Sequence, residues 1–368
     1  MSTKPVRIGI IGVGIIGKRH LETYAKIPGV ELVAACDIDT PELDRVAALH
    51  NIPNKYYSFR EMLKRTDLDA VDIALHNNLH MPVTCAVLES GKHAYCEKPI
   101  AGCYVDGRKM VETAKKCGKM LSIQLSTLFN KETLLARQII DAGKLGHIYH
   151  ARSTGFRRRG RPFVDGYGTA KFVDKNIAGG GALYDMGVYH ISQILFLLGN
   201  PKVERIVGRT FQETGMDAGR RASSGYSVEE LGMGFAALAG GIALDIVEAW
   251  AIHLDSFDSS YIVGSKGGLR LEPLSYHTTE GDLEANQTFE TESVLKRWRS
   301  LDATQTSYES PQHHWVGALR GDVPLLPTAE VALQTMLLSE GIYLSEKLRR
   351  EVTAEEILER SKSTAVEV

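Results

Sequence analysis

Apolar and polar positions change their period along this chain near residue 125. Before it, short β-branched runs at residues 6–11, 31–36, 71–75, 92–96 and 120–125 read as buried strands. Between them, residues 41–50, 58–64, 81–90 and 105–117 carry helical spacing, and Gly91 and Gly118 supply stops. This alternation predicts a parallel sheet covered on both faces, and it leaves residues 76–80 as a loop at a strand's C-terminal end. After residue 125 the pattern changes. Residues 131–142 read as an amphipathic helix, 147–156 as a strand, and 182–198 as one continuous helix behind Gly179, Gly180 and Gly181. Strand-like runs at 202–209, 227–236, 241–251 and 261–263 then predict a mainly antiparallel, open-faced sheet with helices on one face. A late helix is expected at 329–348 and a loose tail after Ser361. The predicted class is α/β, with one domain over 1–125 and an α+β domain over 126–368.

The turn after the first strand narrows this. Gly12, Gly14 and Gly17 stand at G-x-G-x-x-G spacing, with Ile15 and Ile16 opening a helix. In a dinucleotide-binding unit the first glycine makes the tight turn, the second admits a pyrophosphate, and the third packs helix on strand. The helix N-terminus offers free N–H groups and a positive dipole end to the phosphates. Asp37 ends the second strand about 20 residues on, where a carboxylate can accept ribose hydroxyls and repel a 2′-phosphate. No Arg or Lys follows in Ile38-Asp39-Thr40, so NAD is expected over NADP.

Composition adds mostly exclusions. The chain has 368 residues, 43% hydrophobic and 24% charged, which is enough for two domains with cores. A formal net charge of −2 gives no reason to invoke nucleic acid or an anionic membrane. No apolar run reaches the roughly 18 residues of a membrane span, and the N-terminus leads straight into a strand, so a cytoplasmic location is expected. The five cysteines lack zinc-type spacing and read as buried, reduced thiols. His313-His314 has no matching ligand set, so no metal is expected.

Several polar residues sit where chemistry could occur. Lys98 follows a strand end, where an ammonium can stabilise a developing alkoxide; a surface lysine paired with Glu97 fits equally. On a continuous helix Asp185 and Tyr189 share one face, while His190 lies about 100° further round. A phenol near its ordinary pKa of about 10 needs a cation such as Lys98 to act near neutrality. An ordinary buried Tyr189–Asp185 hydrogen bond fits the spacing as well. Asn77 and His80 in the crevice loop, Glu97, and Gln124 at the end of the last strand are candidates for the cofactor. Arg157 and Arg158 in a basic loop, and Trp250 and His253 on a second-domain strand, are candidates for a polar ring-shaped ligand.

Together, Gly12-Val13-Gly14-Ile15-Ile16-Gly17, Glu97-Lys98-Pro99 and the stretch from Gly179 to Gly187 resemble the Gfo/Idh/MocA oxidoreductases over nearly the whole chain. The resemblance implies a Rossmann domain and an open-faced sheet domain whose sheet forms a homodimer or homotetramer. It implies NAD(P)-dependent chemistry on sugars, cyclitols or related polyols, with Lys98 at the reacting oxygen. Many members carry D-x-G-x-H-x-x-D; here Tyr189 replaces the histidine and Ser192 the final acid. The glucose-fructose oxidoreductase and dihydrodiol dehydrogenase branches look similar in having tyrosine there. The acid/base role is therefore carried to Tyr189, its pKa lowered by Lys98, with Asp185 in support and His190 as fallback. The family's Thr-Pro-Asn is replaced by Leu75-His76-Asn77. A redox-neutral enzyme that oxidises a sugar transiently, and a non-catalytic NAD sensor, are the alternatives.

Overall fold

The computed structural model describes residues 4–368. Strands β1 (Val6–Ile11), β2 (Val30–Cys36), β3 (Asn54–Tyr56), β4 (Ala70–Ile73), β5 (His93–Cys96) and β6 (Leu121–Ile123) form a parallel sheet in the order β3-β2-β1-β4-β5-β6. Helices α1 (Ile15–Tyr24), α2 (Thr40–Leu49), α3 (Phe59–Leu63), α4 (Asn77–Glu89) and α5 (Tyr104–Cys117) connect them. Ile8, Ile10 and Ile73 are buried because helices cover both faces, which is why these strands read as continuous apolar runs. Strand order reverses between β1 and β4, so their C-terminal ends open a crevice.

Two expectations for this domain need correction. Helix α4 begins at Asn77, so residues 77–80 form its first turn and not a loop. Pro82 obscured this, since proline favours the first helical turn and here lies inside the helix. Its missing N–H would leave the Asn78 carbonyl, four residues earlier, without a partner; the Val366 N–H donates there at 3.2 Å. The tail is accordingly fixed. Thr364 N–H also donates to Asp106 Oδ2 at 2.9 Å, and the carbonyl of Val368 accepts from Arg60 at 2.6 Å.

The second sheet has nine strands: β7 (Ile148–Phe156), β8 (Val203–Phe211), β9 (Leu231–Leu238), β10 (Ile242–Ala249), β11 (Tyr261–Gly264), β12 (Gly268–Arg270), β13 (Ser275–Glu280), β14 (Leu283–Thr288) and β15 (Val352–Thr353). Their order is β14-β13-β12-β11-β7-β10-β9-β8-β15, antiparallel except for the β7–β10 pair. Helix α6 (Lys131–Asp141) precedes the sheet, and α7 (Lys175–Ala178), α8 (Ala182–Asp185), α9 (Gly187–Leu197) and α10 (Ala218–Ser224) interrupt it. After β14 come α11 (Thr291–Leu301), α12 (Pro311–Arg320), α13 (Thr328–Leu348) and α14 (Ala354–Arg360). Helices α9 and α13 pack on one sheet face. The other face leaves Val207, Met233 and Phe235 exposed.

The single helix expected over 182–198 is broken at Met186 into α8 and α9. A shortened bond from Tyr189 N–H to the Met186 carbonyl, 2.9 Å, tightens the junction. Chain from the far end also completes the first domain. Trp315 on α12 is fully buried with its ring 5.8 Å from that of Tyr95, and Thr328 Oγ1 accepts Ile123 N–H at 2.9 Å. Four cysteines are buried, Cys117 is half-buried, and all are free. Among the described residues no helix is long and apolar enough to cross a membrane, and no three metal-ligating side chains cluster to hold an ion.

Candidate active site

The glycine turn is built as its spacing requires. Gly12 has φ +94, and a Cβ there would lie 2.3 Å from the Ala74 carbonyl oxygen. A Cβ on Gly17 would lie 2.0 Å from the Gly12 carbonyl oxygen. Around Gly14 there is nothing within 4 Å of that position, so the open side of the turn faces the crevice. Asp37 accepts Val13 N–H at 2.8 Å and Asp39 N–H at 3.0 Å, which fixes the carboxylate beside the turn. Ile15 and Ile38 expose apolar side chains there, Ile38 to 91%, while Ile16 is half-buried. Gln124 is anchored through its N–H to the Cys96 carbonyl, and its side-chain Oε1 is buried without a partner. An open cradle at Gly14 and an orphaned acceptor at the strand ends both suit a dinucleotide.

Lys98 meets the second domain at the crevice. Its Nζ lies 2.8 Å from Asp185 Oδ1 and 3.1 Å from the Asp185 carbonyl oxygen. It also stands 4.6 Å from the centre of the Tyr189 ring. Asp185 Oδ2 accepts the Trp250 Nε1–H at 3.1 Å, and Arg157 Nη1 is 3.8 Å away. Burial works against both charges, yet the pair holds the Asp185 carboxyl below its ordinary range and the Lys98 ammonium above its own. For Tyr189 burial dominates and raises the pKa, with Lys98 offsetting only part of the rise. The expected lowering therefore fails in the protein alone: a buried phenol gains less from one cation already paired with Asp185 than it loses in hydration.

The expected Asp185–Tyr189 face is also corrected. The break at Met186 sets the two side chains on different helices, and Lys98 brings them together. The sequence Gly179–Gly181 permits this placement. Gly181 lies against Glu229, whose carboxylate accepts Gly181 N–H and Leu183 N–H, each at 2.9 Å, and so caps α8.

Beside Tyr189 opens a cavity of about 620 Å³ on the second-domain side, lined in part by Asn130, Phe156, Arg157, His190, Phe257 and Glu272. His190, expected to point elsewhere, lines this cavity together with Tyr189. Its Nδ1 is 2.9 Å from Glu248 Oε2, and Ser153 Oγ donates to the other Glu248 oxygen at 3.1 Å. Burial opposes the imidazolium, but the buried Glu248 charge raises the His190 pKa. Phe156 and Phe257 pair with centroids 5.0 Å apart.

Other candidates take different places. His80 is fully buried, with its ring nitrogens 2.8 Å from the Pro99 carbonyl and 3.1 Å from that of Leu75, so it does not reach the crevice. Asn77 donates to the Ala178 carbonyl at 2.8 Å and ties α4 to the glycine segment. Glu97 is 7% exposed, and its Oε2 accepts the Lys98 N–H at 2.9 Å. Trp250 is fully buried and steadies Asp185 without lining the cavity. Arg158 and His253 are exposed and outside the cavity lining. Arg161 is buried on Asp165 and Glu230, so the basic loop is pinned at its end. Glu248, Ile38 and the Phe156–Phe257 pair were not singled out from the sequence. Glu248 did leave a signal there, a lone acid in the apolar run of β10.

The fold and this cluster define a two-domain dinucleotide-dependent oxidoreductase. Residues 6–125 match the oxidoreductase family with an NAD-binding Rossmann fold, and residues 133–270 match the Gfo/Idh/MocA C-terminal domain. The chain belongs to the Gfo/Idh/MocA family. It is 30% identical over 312 residues to D-glucoside 3-dehydrogenase of Escherichia coli K12, covering 82% of this chain and 88% of that protein. An NAD-binding oxidoreductase from Klebsiella pneumoniae superposes with TM-score 0.79 at 22% identity, over 95% of this chain and 99% of that one. Levoglucosan dehydrogenase, solved with NADH and levoglucosan, superposes with TM-score 0.76 at 20% identity, over 95% of this chain and all of that one.

Proposed function

We propose that the protein is an NAD-dependent dehydrogenase that interconverts a hydroxyl and a ketone on a sugar, glycoside or cyclitol. The observation that carries this is the convergence of Lys98, from the first domain, with Asp185 and Tyr189, from the second, beside a cavity. The turn at Gly12, Gly14 and Gly17 would hold the dinucleotide, with Asp37, the exposed Ile15 and Ile38, and the unpartnered Gln124 beside it. Asp37, followed by Ile38-Asp39-Thr40 with no Arg or Lys, favours NAD over its 2′-phosphate. When bound, NAD supplies the hydride acceptor.

Everything else falls to the chain's own groups. Tyr189 Oη takes the proton from the reacting hydroxyl, and the Lys98 ammonium stabilises the alkoxide as its charge develops. Asp185 keeps Lys98 charged and in place, and Trp250 and Arg157 hold Asp185. The Nε2 of His190 hydrogen-bonds a neighbouring hydroxyl, with Glu248 fixing the ring's orientation. Phe156 and Phe257 offer apolar surface to a sugar ring or aglycone. The likeness to D-glucoside 3-dehydrogenase supports this substrate class.

Replacing Lys98 by Ala tests the assignment. Turnover should fall by about 10³-fold, the scale of losing a principal charge-stabilising group, while the NAD dissociation constant changes less than about threefold. Normal turnover in Lys98→Ala contradicts it.

A further inference from the structure

Beneath Lys98 lies a buried ion cluster that the reaction, as set out above, does not use. His20, on α1 shortly after Gly17, is 3% exposed. Its Nδ1 is 3.0 Å from both carboxylate oxygens of Asp72, and its Nε2 is 2.8 Å from Glu97 Oε1. Asp72 is fully buried on β4, and Glu97 immediately follows β5. The second Glu97 oxygen receives the Lys98 backbone N–H at 2.9 Å. One unbroken line of polar contacts thus runs from the dinucleotide-binding helix to the lysine at the crevice.

A carboxylate at each ring nitrogen requires two N–H donors, which only the imidazolium provides. Burial disfavours that charge, but Asp72 and Glu97 prevail and push the His20 pKa up to about 10. The Glu97 carboxyl is correspondingly held below its ordinary range, against burial, by His20 and Lys98. The other titratable groups facing the cluster are the buried phenols of Tyr24 and Tyr95, both raised well above their ordinary value by burial and the Asp72 charge, and the Cys96 thiol, the Tyr189 phenol and the His80 imidazole, which feel the Glu97 charge. The phenols and the thiol cannot supply a positive charge, and burial lowers the His80 pKa. Without His20, two buried carboxylates would share a pocket with one cation, Lys98, at its rim, and Glu97 would take up a proton.

We propose that His20 is a positioning residue of the reaction: it holds Glu97 ionised and aimed at the Lys98 backbone, and so fixes the lysine against Asp185 and Tyr189. This rests on the dehydrogenase function proposed above.

The test is a double-mutant cycle on the full chain with NAD and the hydroxyl substrate that wild type turns over fastest. His20→Gln and Glu97→Gln should each lower kcat at least tenfold, with KM and the NAD dissociation constant within threefold. The double variant should be no worse than the more impaired single, because both act through one contact. Multiplying losses, or an unchanged kcat in either single variant, overturn the proposal; if His20→Gln does not fold, Glu97→Gln alone decides. A readout without turnover uses wild-type protein labelled with [15N]histidine. One imidazolium should stay doubly protonated at pH 8.5 and shift in Glu97→Gln, whereas a neutral ring there overturns the ion cluster. If wild type turns over no substrate, the dehydrogenase function fails and the positioning role with it, while the NMR result still judges the cluster.

Discussion

Tyr189 stands under opposed influences: burial disfavours its phenolate, and Lys98 favours it. With burial the larger, the free protein keeps this phenol protonated at neutral pH. In the oxidation direction kcat/KM, which reports free-enzyme ionisations, should therefore climb through an alkaline limb above the ordinary tyrosine range, and the reduction direction should show the reverse. Tyr189→Phe should remove that limb and lower kcat by about 10²–10⁴-fold, the usual worth of a positioned acid/base. A pH–rate profile on both proteins checks this; an alkaline limb that survives in Tyr189→Phe would show that another group is the base. Lys98, Asp185 and Tyr189 were legible in the sequence because each lies in a short motif with its own spacing. His20, Asp72 and Glu248 were not. A lone charge in an apolar run signals burial, but its partner comes from another element, far away in sequence.

At the scale of elements, the periodic signal located most of the strands and helices and misplaced junctions. Strand β3 was missed because three residues are too few to show a period. The start of α4 and the order of the tail were hidden together, since Val366 fills the position that Pro82 leaves open, and no local pattern links residues so far apart. The break at Met186 was equally silent: Gly187 sits with its Cβ position 3.1 Å from Glu248 Cγ, so packing against β10 decides where the helix turns. The glycine turn yields a contrast that sequence spacing alone does not. Gly17→Ala forces a Cβ to 2.0 Å from a backbone oxygen, so it should lower the melting temperature and NAD affinity together. Gly14→Ala has room in the free protein, so its melting temperature should hold while NAD affinity falls at least tenfold. Calorimetry and a binding titration on both variants check this; equal loss of stability in the two would contradict the assigned roles.

At the scale of the whole molecule, the domains are joined by the same contacts that build the site. Lys98 with Asp185, Asn77 with Ala178, and Ile123 with Thr328 each cross between chain regions that fold around different sheets. The free face of the second sheet is a separate matter. Val207 pairs with Phe235 and Arg209 with Met233 across adjacent strands, so an apolar strip runs over its surface. We expect a second copy to cover it, giving a homodimer or homotetramer with a mass that is a multiple of 40.5 kDa. Phe235→Glu should shift light-scattering mass toward a single chain and leave the fold intact; an unchanged mass would place the contact elsewhere.

The hydride transfer proposed for this cluster runs between a carbohydrate hydroxyl and NAD. It is tested most directly by following NADH absorbance when wild-type protein and NAD meet a panel of sugars, glycosides and cyclitols. NADH should accumulate with one of these classes, fail to accumulate with Lys98→Ala, and its NADP counterpart should form much more weakly. Consumption of substrate without NADH would contradict it in favour of a redox-neutral reaction, and no consumption across the panel would contradict it outright.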